Sequence, residues 1–131
     1  MLPASVIVAD DSPEYLSVLR RAVDRATSLE LVGSAADGRE ALDLVTALGP
    51  DIAICDDQMP HLRGIEVAER AVGDGSRTIF VIVSAELSPD LEHRADGIDA
   101  IVVDKVRGVE AVLRACHGAL AVDVDDEEQA G

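Results

Sequence analysis

Aromatic side chains are almost missing from this chain: it has no tryptophan, and Tyr15 and Phe80 are its only tyrosine and phenylalanine. A core must therefore be built from Val, Ile, Leu and Ala, as suits a parallel sheet covered by helices. Positive charge is scarce as well. Eleven Lys and Arg face 26 Asp and Glu, a formal net charge of -15. Such a surface repels nucleic acid and anionic membranes, so direct DNA binding is not expected. There are two cysteines, Cys55 in an apolar run and Cys116 in a helical pattern. They read as small buried thiols in a reducing compartment. His61, His93 and His117 have no metal-ligand spacing with them and are expected at the surface. No apolar stretch approaches membrane-spanning length. The start, Met1-Leu-Pro-Ala-Ser5, lacks the basic residues and cleavage site of a secretory signal. With 131 residues, the expectation is one soluble cytoplasmic domain.

What is present is an alternation of apolar runs and helical patterns, repeated five times. The first run is Ala4–Ala9. Ser12 then caps a helix whose first position suits Pro13, with Leu16, Leu19, Val23 and Ala26 as its stripe. The second run, Leu29–Ala35, alternates as an edge strand does. Asp37 caps the next helix, which buries Ala41, Leu42, Val45 and Leu48 and stops at Gly49-Pro50. The third run is Asp51–Cys55, followed by the Met59-Pro60 turn and a helix over 64–72. The fourth run, Thr78–Val83, is the most β-branched, as a central buried strand should be. A short helix over Pro89–Ala95 leads to the fifth run, Ala100–Val103. A last helix covers 109–121. The remainder, 122–131, is acidic without a core pattern and reads as a disordered tail. This order predicts an α/β fold: a doubly wound parallel sheet with right-handed crossovers and helices on both faces.

In such sheets ligands meet the carboxyl ends of the strands. The polar residues that stand out all follow their runs: Asp10 and Asp11, Asp56, Ser84 and Lys105. Crowded carboxylates repel one another, and a hard divalent cation with oxygen ligands relieves this. Magnesium fits, because it keeps waters for a phosphate oxygen. Asp56 is then the candidate nucleophile toward a phosphoryl group, giving an acyl phosphate. Lys105 supplies a compact positive charge, and Ser84 a hydroxyl that can turn toward the new phosphate, a local charge event able to bias a two-state element. Asp57 is expected to be a solvated neighbour. A phosphatase of the haloacid dehalogenase type would need Asp-x-Asp after the first strand and a cap domain. A flavin carrier would need a Ser/Thr-rich loop there and aromatic walls. Neither pattern occurs.

These residues together resemble the receiver domain of bacterial two-component response regulators. The resemblance is carried by Asp10-Asp11, Asp56-x-x-Met59-Pro60 with Gly64, Ser84-Ala85 and Lys105. The segment Leu31–Leu42 is similar to receivers joined to a helix-turn-helix DNA-binding output domain, those of the LuxR/NarL type. The resemblance implies a flavodoxin-like sheet in strand order 2-1-3-4-5 with five helices, over a receiver domain spanning 1–121. It implies that Asp56 is the phosphoacceptor, that Asp10, Asp11, Asp56 and the backbone carbonyl of Gln58 hold Mg2+, and that Ser84 and Lys105 are the switch hydroxyl and the phosphate-pairing lysine. The implied partner is a sensor histidine kinase or phosphotransfer protein. The implied state is a monomer or a weak phosphorylation-dependent homodimer. Such a protein is a self-phosphorylated substrate with weak autodephosphorylation and not a turnover enzyme. The chain also departs from the family. Val106 stands where many members have proline, the fourth helix is shortened, and the fifth-strand aromatic is replaced by Ile101 or Val102. A phosphorylation-independent binding module is therefore the alternative, alongside a receiver cut from a longer regulator. The residues after the last helix are too few for a DNA-binding module, and their acidic character, like that of a natural terminus or a linker, points to a stand-alone receiver as the expectation.

Overall fold

A computed structural model of the chain describes residues 2–130, with side chains to residue 121. Strands β1 (Ala4–Ala9), β2 (Leu29–Ala35), β3 (Ile52–Asp56), β4 (Ile79–Ser84) and β5 (Ile101–Asp104) alternate with helices α1 (Pro13–Arg25), α2 (Gly38–Leu48), α3 (Gly64–Gly73), α4 (Pro89–Asp96) and α5 (Val109–Ala130). The strands form one parallel sheet in the order β2-β1-β3-β4-β5. The doubly wound expectation holds, with β2 at an edge. The centre is β3, and β4 lies one strand further out. Helix bounds for α5 reach Ala130, past the expected stop at residue 121. The side chains of 122–130 and all of Gly131, where the disordered tail was expected, lie outside the described residues. No helix among the described residues is long and apolar enough to cross a membrane.

The caps act as the sequence implies. Ser12 accepts a hydrogen bond from the Tyr15 amide with Pro13 opening α1, and Asp37 accepts one from the Glu40 amide. Gly49 ends α2 in the left-handed conformation, φ 53°, which costs glycine little. Helix α4 is short, eight residues, and starts at Ser88-Pro89. Arg94 on α4 forks onto Glu69 of α3 through Nε and Nη2.

Side-chain alternation along each strand builds two cores. Val6 and Val8, Ile52 and Ile54, and Val81 and Val83 face α1 and α5. Ile7 and Ala9, Ala53 and Cys55, and Phe80 and Ile82 face α2, α3 and α4. Both cysteines are free and fully buried, and burial pushes each thiol up to about 12. They act as packing groups and not as nucleophiles.

Close approach constrains the turn after β3. A Cβ on Gly64 would lie 2.5 Å from the Asp56 carbonyl oxygen, and one on Gly38 would collide with the backbone of Leu62. Backbone is what obstructs at Gly64, so relief requires moving the end of β3 itself. Gly64→Ala is expected to cost about 2 kcal/mol of stability. A urea denaturation midpoint equal to the wild type's would show that this turn tolerates displacement.

Candidate functional site

Register brings the acids together. Ala9 pairs with Cys55, so the residues that follow, Asp10 and Asp56, leave adjacent strands at the same height. Both continue the face of Val6, Val8, Ile52 and Ile54, and so both turn to the same side of the sheet. Asp56 pairs with Val83, and Ser84 with Asp104, which sets Ser84 and Lys105 along the same edge. The polar ends of four strands thus converge as the sequence implies.

Asp10, Asp11 and Asp56 can each bring one oxygen within 4.8 Å of the others. Asp10 is 1% exposed and Asp56 5%, whereas Asp11 is exposed. The Lys105 ammonium donates to Asp10 Oδ2 at 3.0 Å and lies 3.5 Å from Asp56 Oδ1. Asp10 Oδ1 accepts from the Ser12 amide at 2.8 Å, so both of its oxygens are engaged. Three carboxylates against one ammonium leave negative charge uncompensated. Burial, then the charge of Asp10, push Asp56 up from 3.8 to about 6, against the opposing pull of Lys105. Burial acts against the Lys105 ammonium, but its bond to Asp10 and the charges of Asp56 and Asp10 outweigh that and raise its pKa.

Asp57 is not a solvated neighbour. It is 4% exposed. Alternation sends it to the opposite side from Asp56, toward α3. There Oδ2 accepts from Arg63 Nη2 at 2.7 Å and Nε at 3.2 Å, and Oδ1 from the Ile65 amide at 3.1 Å. Its own amide donates to Val83 O. Asp57 therefore ties β3 to the start of α3, a role that the sequence signals through strand alternation and through Arg63 six residues on.

Ser84 is buried, 2% exposed. Its hydroxyl donates to the Glu86 carbonyl at 2.8 Å and accepts from the Glu86 amide at 3.1 Å. It is engaged by its own loop. Gln58 is exposed in the turn two residues after Asp56. His61, His93 and His117 are exposed, and His117 Nε2 hydrogen-bonds Ser28. A cavity of about 470 Å³ opens elsewhere, at the opposite ends of the strands, lined by Pro50, Asp51, Arg77 and Thr78 among others. The carboxylates are not part of it.

Sequence reasoning passed over Tyr15. Lys105 Nζ sits over its ring, 4.2 Å from the centroid. No local pattern in the sequence signals this contact, which joins residues far apart in the chain.

Known proteins resemble this chain in sequence and fold. The family model described as "Response regulator receiver domain" matches residues 6–112. A protein-glutamate methylesterase/protein-glutamine glutaminase of Myxococcus xanthus is 39% identical over 79% of this chain and 30% of its own length. A probable transcriptional regulatory protein NarL of Mycobacterium tuberculosis is 34% identical over 91% of this chain and 62% of its own length. The chain thus spans less than two thirds of the length of these relatives, and only 30% of the methylesterase. The solved signal receiver domain of a NarL response regulator from Mycobacterium tuberculosis superposes with a TM-score of 0.85 at 28% identity, covering 91% of this chain and 97% of that one. The strand order, the convergent aspartates and a family match over most of the length agree: this chain belongs to the response regulator receiver domain family.

Proposed function

We propose that this chain is the phosphoacceptor switch of a two-component phosphorelay, with Asp56 as the acceptor. The observation that carries this is the Asp10–Asp11–Asp56 cluster with Lys105 bridging two of its members. An Asp56 oxygen attacks phosphorus, the phosphorus–nitrogen bond of a phosphohistidine donor breaks, and its electron pair returns to the imidazole. The donor is a sensor histidine kinase or phosphotransfer protein in the cytoplasm. Hydrolysis later returns free phosphate and the carboxylate.

The cluster fits a hard dication in donor type and in unbalanced charge. Asp10, Asp11, Asp56 and the Gln58 carbonyl would hold Mg2+, which when bound neutralises charge on the incoming phosphoryl oxygens. Lys105 keeps a second positive charge beside Asp56, within reach of those oxygens. Ser84 must give up its bonds to Glu86 to donate to the phosphoryl group. That exchange would pull on the loop between β4 and α4. The bonds that the hydroxyl already makes to Glu86 offset part of the gain from donating to the phosphoryl group. The target read by the altered surface is a downstream protein.

The test is incubation with acetyl phosphate and Mg2+, followed by intact-mass measurement. One phosphoryl adduct is expected, absent when a chelator removes the metal and absent in Asp56→Asn. An adduct that persists in Asp56→Asn moves the acceptor elsewhere. No adduct in the wild type points to a phosphorylation-independent binding module.

A further inference from the structure

Four residues close a circuit around the candidate acceptor. Asp10 accepts from the Ser12 amide at 2.8 Å. The Ser12 hydroxyl accepts from the Tyr15 amide at 3.3 Å. The Tyr15 ring lies 4.2 Å from Lys105 Nζ, and Lys105 returns to Asp10 at 3.0 Å. Two of these contacts are local, between the residue after β1, the cap of α1 and its first turn. The other two join that segment to the residue after β5. Lys105 is the only lysine of the chain, and Tyr15 the only tyrosine. Phe80, the other aromatic, is buried in the opposite core with Ile82 and cannot substitute.

We propose that Tyr15 is a positioning residue for phosphoryl transfer, its ring forming the wall that holds the Lys105 ammonium beside Asp10 and Asp56. This rests on the reading of Asp56 as acceptor. The physical argument begins with the stem of Lys105. Four methylenes leave an ammonium many rotamers, and each one excluded in advance lowers the cost of meeting a phosphoryl oxygen. Asp10 alone cannot supply that restraint, because the same carboxylate is a candidate metal ligand and has to share its oxygens. A ring face attracts the ammonium and has no claim on a metal. It therefore still holds Lys105 when Asp10 turns to another partner. The Tyr15 hydroxyl oxygen is sealed from solvent and makes no hydrogen bond. It adds nothing to the circuit, so the ring is the working part and phenylalanine should serve as well.

The test uses the full chain as wild type, Tyr15→Leu and Tyr15→Phe. The rate of adduct formation is followed against acetyl phosphate concentration in Mg2+. In parallel, protein labelled with 15N-lysine gives one side-chain ammonium resonance, from Lys105. Tyr15→Leu is expected to lower phosphorylation efficiency roughly tenfold, mainly by raising the half-saturating donor concentration, and to shift the ammonium resonance as the ring current is lost. Tyr15→Phe should stay within about twofold of wild type on both readouts. Tyr15→Leu phosphorylated at the wild-type rate, or with its ammonium resonance unmoved, overturns the proposal. So does a Tyr15→Phe variant as impaired as Tyr15→Leu. Those outcomes leave the wild-type adduct on Asp56 intact and strike Tyr15 alone. A wild-type chain that takes no phosphoryl group strikes the acceptor reading, and the proposal falls with it.

Discussion

Asp56→Asn is expected to make the metal-free protein more stable while abolishing its phosphorylation. Asp56 is 5% exposed and faces Asp10 with only Lys105 to offset the repulsion. Its carboxyl is pushed from 3.8 to about 6 by burial and then by Asp10. In the unfolded chain the same group ionises at the ordinary value. At pH 7 both states carry the charge, but the folded one holds it in a hostile site; the shift corresponds to about 3 kcal/mol, which solvent screening on the open side of the cluster, at exposed Asp11, lowers to about 2 kcal/mol. Asparagine keeps the shape and removes the charge, so that cost disappears, and the melting temperature should rise by roughly 5–8 °C. The sign reverses nowhere, but the size depends on pH. Below about 4 the carboxyl is protonated in both states, and the two proteins should converge. Between about 4 and about 6 the folded wild type binds the proton more readily, so its stability falls as pH rises through this window. Above about 6 the full gap is present. Magnesium should narrow it, since an ion bound only by the folded wild type adds stability by mass action, and less so as protons compete below about 6. Thermal melts of both proteins from about pH 3 to 8, with chelator and with Mg2+, measure all of this. An Asp56→Asn protein that melts below wild type at pH 7 in chelator would mean that the carboxylate cluster is not under strain.

The legible part of this molecule is what short-range pattern determines. Strand β1 reads as Ala4–Ala9 because a β-branched run ends at an acidic pair. Ser12-Pro13, Asp37 and Gly49 mark helix ends through local hydrogen bonds and φ values that neighbouring residues dictate. The convergence of Asp10, Asp56, Ser84 and Lys105 follows from topology, since a parallel sheet with crossovers puts every strand's carboxyl end on one edge. What escaped depends on direction and on distance in sequence. Adjacent Asp56 and Asp57 look alike in the chain, and only period-2 alternation separates one into the acid cluster and the other under α3. Continuing the alternation of Ile52 to Cys55 by two residues would have revealed this. Ser84 was rightly placed at the strand end, but a rotamer satisfied by the Glu86 backbone leaves no trace in sequence. The Tyr15–Lys105 pair spans 90 residues, and no periodicity records such a contact.

Asp57→Ala is expected to do the reverse of Asp56→Asn, destabilising the fold while leaving the acceptor in place. Asp57 accepts two bonds from Arg63 and one from the Ile65 amide. Removing the carboxylate deprives that amide, buried at the start of α3, of its acceptor, and empties a well-packed position. The Arg63 side chain is 40% exposed, so its guanidinium recovers water and escapes most of the penalty of an unpaired buried charge. The loss is then about 3 kcal/mol, set by the orphaned amide and the cavity. Asp57→Asn should lose less, about 1 kcal/mol, because an amide oxygen can still accept from Ile65. Urea denaturation of the two variants beside wild type and Asp56→Asn checks the order, and intact mass after acetyl phosphate treatment checks the chemistry. Two neighbouring aspartates of equal formal charge then differ by about 5 kcal/mol in the effect of their removal, and the one whose loss stabilises is the proposed acceptor. A folded Asp57→Ala protein that gains no adduct, beside an Asp56→Asn protein that does, would transfer the acceptor role to Asp57. That result would also require the Arg63 fork to open before reaction, because both Asp57 oxygens are already occupied.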